Sequence, residues 1–273
     1  MFIFEISGTC KNVEIEITSM DNSTLWSAMA KNTRLVLSMM INYAGRVELS
    51  TIDWFGHAAY VIFLNGCPMK CPRCHNAQIR NSQNLVELND VVSDIRYCGS
   101  LVNHVVISGG EPLAQPDTCR DIIQYCHELS RKVAVETSGC FPLVPGFDAV
   151  FLDIKTSLER GVYDSYTGFP GSFDSLMSNL ARMDPVRDEI RIVLFPDSNF
   201  DVESLGALRG FPVRISIGRG MGDGVVSQEQ LMEFGFKLYE YLGYSSMTIE
   251  TGRLLMSGKH IKIEDEEKRG IYD

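Results

Sequence analysis

From residue 59 onward the chain alternates short apolar runs with longer stretches whose apolar residues recur every three or four positions. The runs at 59–64, 104–108, 132–136, 149–155, 189–195 and 213–217 have the length and the Val/Ile content of strands. The stretches at 117–130, 173–183, 202–208 and 228–242 carry helical periodicity instead. Near-continuous apolar strands are buried on both faces, and in alternation with helices they imply a parallel sheet with helices on its outer side. Six such units are too few for a closed eight-fold barrel. The pattern therefore predicts an α/β fold, a partial (β/α)6 TIM-like barrel, with its chemistry at the carboxyl ends of the strands.

The first fifty residues follow another pattern. Residues 2–6 and 13–17 alternate like two paired strands, and a helix is expected over 24–42 with Asn22 or Ser23 as its cap. This reading divides the chain into an N-terminal α/β appendage (1–50), the barrel (51–250) and a C-terminal tail (251–273), charged and solvated from His260 onward. No internal repeat or low-complexity tract is visible.

Composition narrows the function classes. A net charge of −10 argues against a grip on a nucleic-acid polymer, which needs a basic surface, but leaves a small nucleotide open. No apolar run reaches spanning length, so no membrane association is expected. The first residues lack the basic start and cleavage site of a signal peptide, which points to a cytoplasmic protein. In such a chain, three of the eight cysteines crowded into eight residues read as metal ligands rather than disulfides.

Those three stand in Asn65-Gly66-Cys67-Pro68-Met69-Lys70-Cys71-Pro72-Arg73-Cys74-His75-Asn76. Thiolates spaced C-x-x-x-C-x-x-C on one loop suit three irons of a cubane cluster and leave the fourth iron open for a ligand. Gly66 lets the chain turn, while Pro68 and Pro72 stiffen the loop. Structural zinc generally wants a second cysteine pair, and none occurs. His75 is adjacent to Cys74, which rarely suits a single tetrahedral ion. A non-catalytic iron–sulfur or zinc module stays as an alternative, one that binds metal and nothing further.

Several strand ends carry polar residues. Gly109 and Gly110, before Glu111, permit close backbone approach to a ligand. Glu136 ends an apolar strand, where an acid is costly unless it meets a partner, and Ser138 follows it. Asp153 and Lys155 share one face of their strand, either as a structural ion pair or on the substrate side. Arg191 interrupts another strand and needs an anion, which is either a barrel-lining acid such as Asp153 or a ligand carboxylate. Ser216 and Gly218 end the last strand. Cys119 and Cys126 are seven apart on one helix and read as packing residues, Cys10 and Cys98 lack partner spacing, and Cys140 lies on the expected active face. His57 reads as structural, and the glycines of 218–224 lack a Walker lysine and read as a flexible loop.

The cysteine spacing resembles the radical S-adenosylmethionine (SAM) superfamily, over about residues 46–242. The resemblance implies a 4Fe-4S cluster on Cys67, Cys71 and Cys74. It implies SAM contacts from Gly109, Gly110 and Glu111 to the amino group, from Arg191 to the carboxylate, and from Glu136, Ser138 and Ser216. Asp153 and Lys155 are then catalytic residues. The C-H-N ending at His75-Asn76, the segment Asp153-Ile154-Lys155 and the pair Thr167-Gly168 are similar to activating proteins of glycyl radical enzymes, of the anaerobic ribonucleoside-triphosphate reductase type. That similarity implies a glycyl radical enzyme and a reductant protein such as flavodoxin or ferredoxin as partners. Two features depart from it. Trp54-Phe55-Gly56 stands where a proline often precedes the glycine, and Glu136 looks more like the branch that forms 7-carboxy-7-deazaguanine. A radical step on a small molecule of that kind is the alternative activity.

Overall fold

The computed structural model describes residues 4–7, 14–17, 39–97, 102–196, 200–211, 213–220, 225–250 and 253–257. The chain divides into two compact units, Met1–Met39 and Met40–Asp273. In the first, β1 (Phe4–Ser7) and β2 (Glu14–Ile17) pair antiparallel with Phe4 opposite Ile17, as their alternation predicts.

The second unit is built on one ten-stranded sheet. Its strands are β3 (Met40–Ser50), β4 (Ala59–Leu64), β5 (Leu85–Glu87), β6 (His104–Gly109), β7 (Lys132–Thr137), β8 (Ala149–Ile154), β9 (Glu189–Leu194), β10 (Arg214–Arg219), β11 (Ser246–Glu250) and β12 (Arg253–Ser257). The order is β11-β12-β10-β9-β8-β7-β6-β4-β3-β5. The six central strands, β4 and β6 to β10, run parallel, and antiparallel strands extend the sheet on both sides. The sheet does not close, so the fold is the expected partial barrel, and all six predicted strands form within two residues of their expected bounds. Helices α1 (Leu88–Tyr97), α2 (Pro116–Glu128), α3 (Arg160–Thr167), α4 (Ser172–Leu180) and α5 (Gln228–Leu242) lie between strands. Among the described residues no helix is long and apolar enough to cross a membrane.

Three expectations change. Met40–Ser50 is a strand of the main sheet, so the composition boundary at residue 50 moves to 39/40, and residues 40–42 of the expected helix are extended. The start of the expected tail is also a strand, β12, paired with β10 and β11. Residues 202–208 form a short 3-10 helix, Glu203–Leu208, rather than an α-helix. The rest of the expected helix at 24–42, Cys10, Cys98, residues 221–224 and the charged tail from His260 lie outside the described residues.

Strand alternation sorts side chains into two layers. Tyr60, Ile62 and Leu64 of β4 are fully buried on the helix side. On the inner side Ala59, Val61, Val106, Ala134, Ala149 and Phe151 pack around Trp54, which reaches in from the β3–β4 loop. Its indole meets His104 and Phe151 edge-on, with ring centroids 4.6 and 5.6 Å away. His57 stacks on His104 at 4.0 Å and has the structural role expected of it. Small side chains on the strands leave the space that Trp54 fills. Helix α2 buries Cys119 and Cys126 in the same way as Ile122, and burial pushes both thiols up to about 12.

Trp54→Ala should empty the base of the barrel and lower unfolding stability by about 3–5 kcal/mol, the range for removal of a large buried aromatic. Urea unfolding followed by circular dichroism measures it.

Candidate active site

Toward the carboxyl ends of the strands the inward positions turn polar. Ser108 on β6, Glu136 on β7, Asp153 on β8, Arg191 on β9 and Ser216 on β10 all line one cavity of about 840 Å3. Cys67, Cys71 and Cys74 line it as well, from the loop after β4, together with Gly109, Gly110, Ser138 and Lys155. The volume lies within the range usual for small-molecule sites.

The cysteine loop is positioned mainly by backbone. Gly66 N donates to Ile79 O and Cys67 N to Arg80 O, each at 3.0 Å, while Lys70 N donates to Thr167 O at 2.6 Å. Gly110 N and Glu111 N donate to Leu64 O and Gly66 O at 2.8 and 2.9 Å. These bonds bring two backbones so close that a Cβ on Gly110 would stand 2.2 Å from Gly66 O, and one on Gly109 2.3 Å from Leu64 O. Gly109 also has φ of +122°, which L side chains rarely adopt. The two glycines are thus required first by the cysteine loop, and they face the cavity as well. Asn76 donates to Gly109 O at 2.8 Å, tying the end of the cysteine motif to the same strand.

Glu111 is placed differently from the sequence expectation. It is fully buried and does not line the cavity. Its carboxylate accepts bonds from Leu113 N at 3.0 Å, Thr137 Oγ1 at 2.6 Å, Ser138 N at 2.9 Å and Ser138 Oγ. Four donors saturate a carboxylate. Glu111 therefore locks the end of β6 to the end of β7 and sets the position of Ser138, which does face the cavity. Cys140 is buried and also lies outside the lining.

Arg191 is 6% exposed. Its partners are Glu136 and Glu189, not Asp153: Nε donates to Glu189 at 3.0 Å, and an ion pair joins it to Glu136. A third bond runs to Asp53 O at 2.6 Å, and the guanidinium lies 4.2 Å from the centre of the Phe151 ring. Burial opposes its charge, but the two carboxylates outweigh burial and hold it protonated. Burial likewise raises the Glu136 carboxyl, against the pull of Arg191, and Ser108 donates to it at 2.6 Å. Asp53 and Glu189 are the site residues that sequence reasoning missed. Asp153 and Lys155 form an ion pair at 2.8 Å, and both line the cavity. Burial works against the Lys155 cation, and Asp153 more than restores it, so its affinity for the proton is raised.

The three cysteines are free thiols, each partly exposed. Burial pushes Cys67 up to about 11 and raises Cys71, while the nearby Lys155 charge pulls both down. Among the described residues no three His, Cys, Asp or Glu side chains converge as a single metal ion requires. All three line the cavity from one loop, a donor set that suits three irons of a cubane.

The family model for the radical SAM superfamily matches residues 61–206, more than half of the chain. A protein assigned as a glycyl-radical enzyme activating enzyme in Methanocaldococcus jannaschii is 35% identical over 125 residues, 43% of this chain and 51% of that one. The chain thus spans about half the length of this relative. The pyruvate formate-lyase-activating enzyme of Staphylococcus epidermidis is 28% identical over 187 residues, 60% of this chain and 72% of that one. A 7-carboxy-7-deazaguanine synthase of Synechocystis is 26% identical over 166 residues, 58% and 66% of the two chains. A solved structure of TYW1 with a lysine-pyruvate adduct bound shares the fold, with a TM-score of 0.60 at 16% identity over 75% of this chain and 82% of that one.

Two substitutions separate positioning from packing. Gly110→Ala should displace the cysteine loop and reduce the iron retained after anaerobic reconstitution, whereas Gly161→Ala, with nothing within 4 Å of its Cβ, should retain it. Iron and sulfide assays on both variants provide the comparison. Arg191→Ala leaves two buried carboxylates uncompensated and should lower stability by about 3–5 kcal/mol, as broken buried ion pairs do. Lysine should recover only part of this, because it lacks the planar fork that reaches two acids and a carbonyl.

Proposed function

The chain belongs to the radical SAM superfamily, whose members use a 4Fe-4S cluster and S-adenosylmethionine, and on that premise we propose that it activates a glycyl radical enzyme by abstracting hydrogen from a glycine Cα of that partner. The observation that carries the reading is the meeting of three free thiols with a polar ring of strand ends around one cavity of about 840 Å3. When bound, the cluster supplies the electron that cleaves SAM to methionine and a 5′-deoxyadenosyl radical.

In this reading Cys67, Cys71 and Cys74 hold the cluster. Gly109 and Gly110 offer backbone, and Ser138 and Ser216 offer hydroxyls, to the polar parts of SAM. Glu111 acts through Ser138 as a positioning residue. Glu136 and Arg191 form a charge-compensated floor, and a carboxylate on the ligand adds to an arginine that already has two acids. Lys155, paired with Asp153 and close enough to influence Cys67 and Cys71, offers a cation beside the cluster loop. Trp54 and the apolar layer beneath exclude water from the base, which protects a radical from unwanted hydrogen donors.

The two activating-enzyme relatives, the His75-Asn76 ending and the Thr167-Gly168 pair support a glycyl radical partner. Lys70 N donates to Thr167 O, and a Cβ on Gly168 would lie 3.2 Å from Lys70 Cβ, so that pair braces the cysteine loop. A reductant protein such as flavodoxin or ferredoxin supplies the electron, in the cytoplasm. The deazaguanine synthase relative supports the second reading, a radical step on a small carboxylated heterocycle.

The anaerobically reconstituted protein should bind about four irons per chain and convert SAM to 5′-deoxyadenosine under reduction, and Cys71→Ala should lose both properties. With a partner protein labelled by α-deuterated glycine, deuterium should appear in 5′-deoxyadenosine. Metal binding without SAM cleavage would reduce the chain to a binding module. Cleavage without label transfer from any glycine, but with formation of 7-carboxy-7-deazaguanine from a small-molecule substrate, would move the activity to the second reading.

A further inference from the structure

The charged side chains around the cavity are unequally committed. Arg191 at the floor has Glu136 and Glu189, and Lys155 has Asp153. Arg219 and Arg253 also line the cavity, but neither has a hydrogen bond or ion pair to any other described residue. Their position follows from the sheet. Arg219 ends β10 at its carboxyl edge. Arg253 opens β12, which runs antiparallel to β10 with Leu254 opposite Ile217. The Arg253 stem therefore passes over Gly218, where a Cβ would lie 3.9 Å from its Cγ. Two cations whose donor forks meet no acceptor among the described residues converge on one side of the mouth. In a protein of net charge −10, this is a local attraction for an oxyanion against an unfavourable overall field.

The same mouth carries apolar surface. Val225, which precedes α5, is 48% exposed and lines the cavity as well. A rim that combines guanidinium groups with an exposed aliphatic side chain suits an extended polypeptide better than a small nucleotide, which would be engulfed and would leave that side chain wet. We propose that Arg219 and Arg253 form a substrate-anchoring site for a carboxylate side chain that flanks the target glycine, so that the preferred substrate segment is acidic. This rests on the reading that the substrate is a glycyl segment of a partner protein.

The test uses the reconstituted holoenzyme loaded with SAM. Its probes are a synthetic peptide with a central α-deuterated glycine between aspartates and the same peptide with asparagines. The aspartate peptide should bind about ten-fold more tightly, the scale of two partly screened ion pairs. The preference should weaken with added salt and disappear in the Arg219→Gln/Arg253→Gln double variant, with iron content and SAM affinity unchanged. Equal affinity for the two peptides, including no binding of either, overturns the proposal, as does a preference that survives in the double variant. Displacement of the aspartate peptide by micromolar inorganic phosphate overturns it as well, and gives the pair to a phosphate. Deuterium transfer to 5′-deoxyadenosine tests the underlying activity separately. Acid-selective binding without transfer from any glycyl peptide or protein keeps the anchor and removes glycyl activation.

Discussion

The structure depends most on how the Arg191 guanidinium is kept charged in a nearly water-free position. Withdrawing such a cation from water costs several kcal/mol even after the surroundings relax. The cost is offset by Glu136 from β7, Glu189 from β9 itself, the carbonyl of Asp53 and the face of Phe151 on β8. These partners come from three adjacent strands and from a loop that enters the barrel from below. A closed barrel is held in shape by hydrogen bonds around its whole circumference, but this sheet ends at β11 and β5 without joining. Its curvature must be fixed from inside. One side chain with a rigid fork of donors does this for the polar layer, and Trp54 does it for the apolar layer beneath.

The same economy governs the cysteine loop. Its shape is set by main-chain bonds to residues 79 and 80, to the segment that follows β6 and to the end of α3. Loop position therefore depends on glycines and carbonyls rather than on the sulfurs. A loop pre-shaped in this way loses little conformational freedom when it closes around an inorganic group, because the ordering has already been met by the fold. It also places the sulfurs beside Lys155, whose charge favours thiolates while burial opposes them.

Much of this was legible in the sequence, and the rest was hidden for identifiable reasons. The six parallel strands are apolar on both faces, a pattern that survives in any tertiary setting, and the cysteine spacing is a local property of one loop. Met40–Ser50 was hidden because its alternation is broken by Ala44 and Gly45 and its strand character comes from pairing with β4, a partner that lies later in the chain. β12 was hidden because five residues after a polar stretch give no period to count. The polar residues pose a deeper problem. An acid at a strand end must find donors, but sequence alone does not say whether protein or ligand supplies them. For Glu111 the protein supplies all four, and for Arg191 it supplies two acids, neither of which the sequence marked as its partner. The inward face of Arg191 was readable, but its partners were not.

The division of the interior into an apolar base and a polar upper layer bears on chemistry as well as stability. Polar groups that lie deep and are paired with one another present little net charge and do not draw water inward. Groups left unpaired attract whatever carries the opposite charge. The floor of this cavity is compensated by its own acids and cations, and among the described residues Arg219 and Arg253, at the mouth on β10 and β12, are the lining arginines without a partner. A site that must generate a reactive species gains from this separation. Recognition takes place where water is present and can be displaced, while the reacting atoms sit over a floor that offers no loosely held hydrogen and no mobile charge. The layer order follows from strand alternation in an open barrel whose base is filled by a single aromatic side chain.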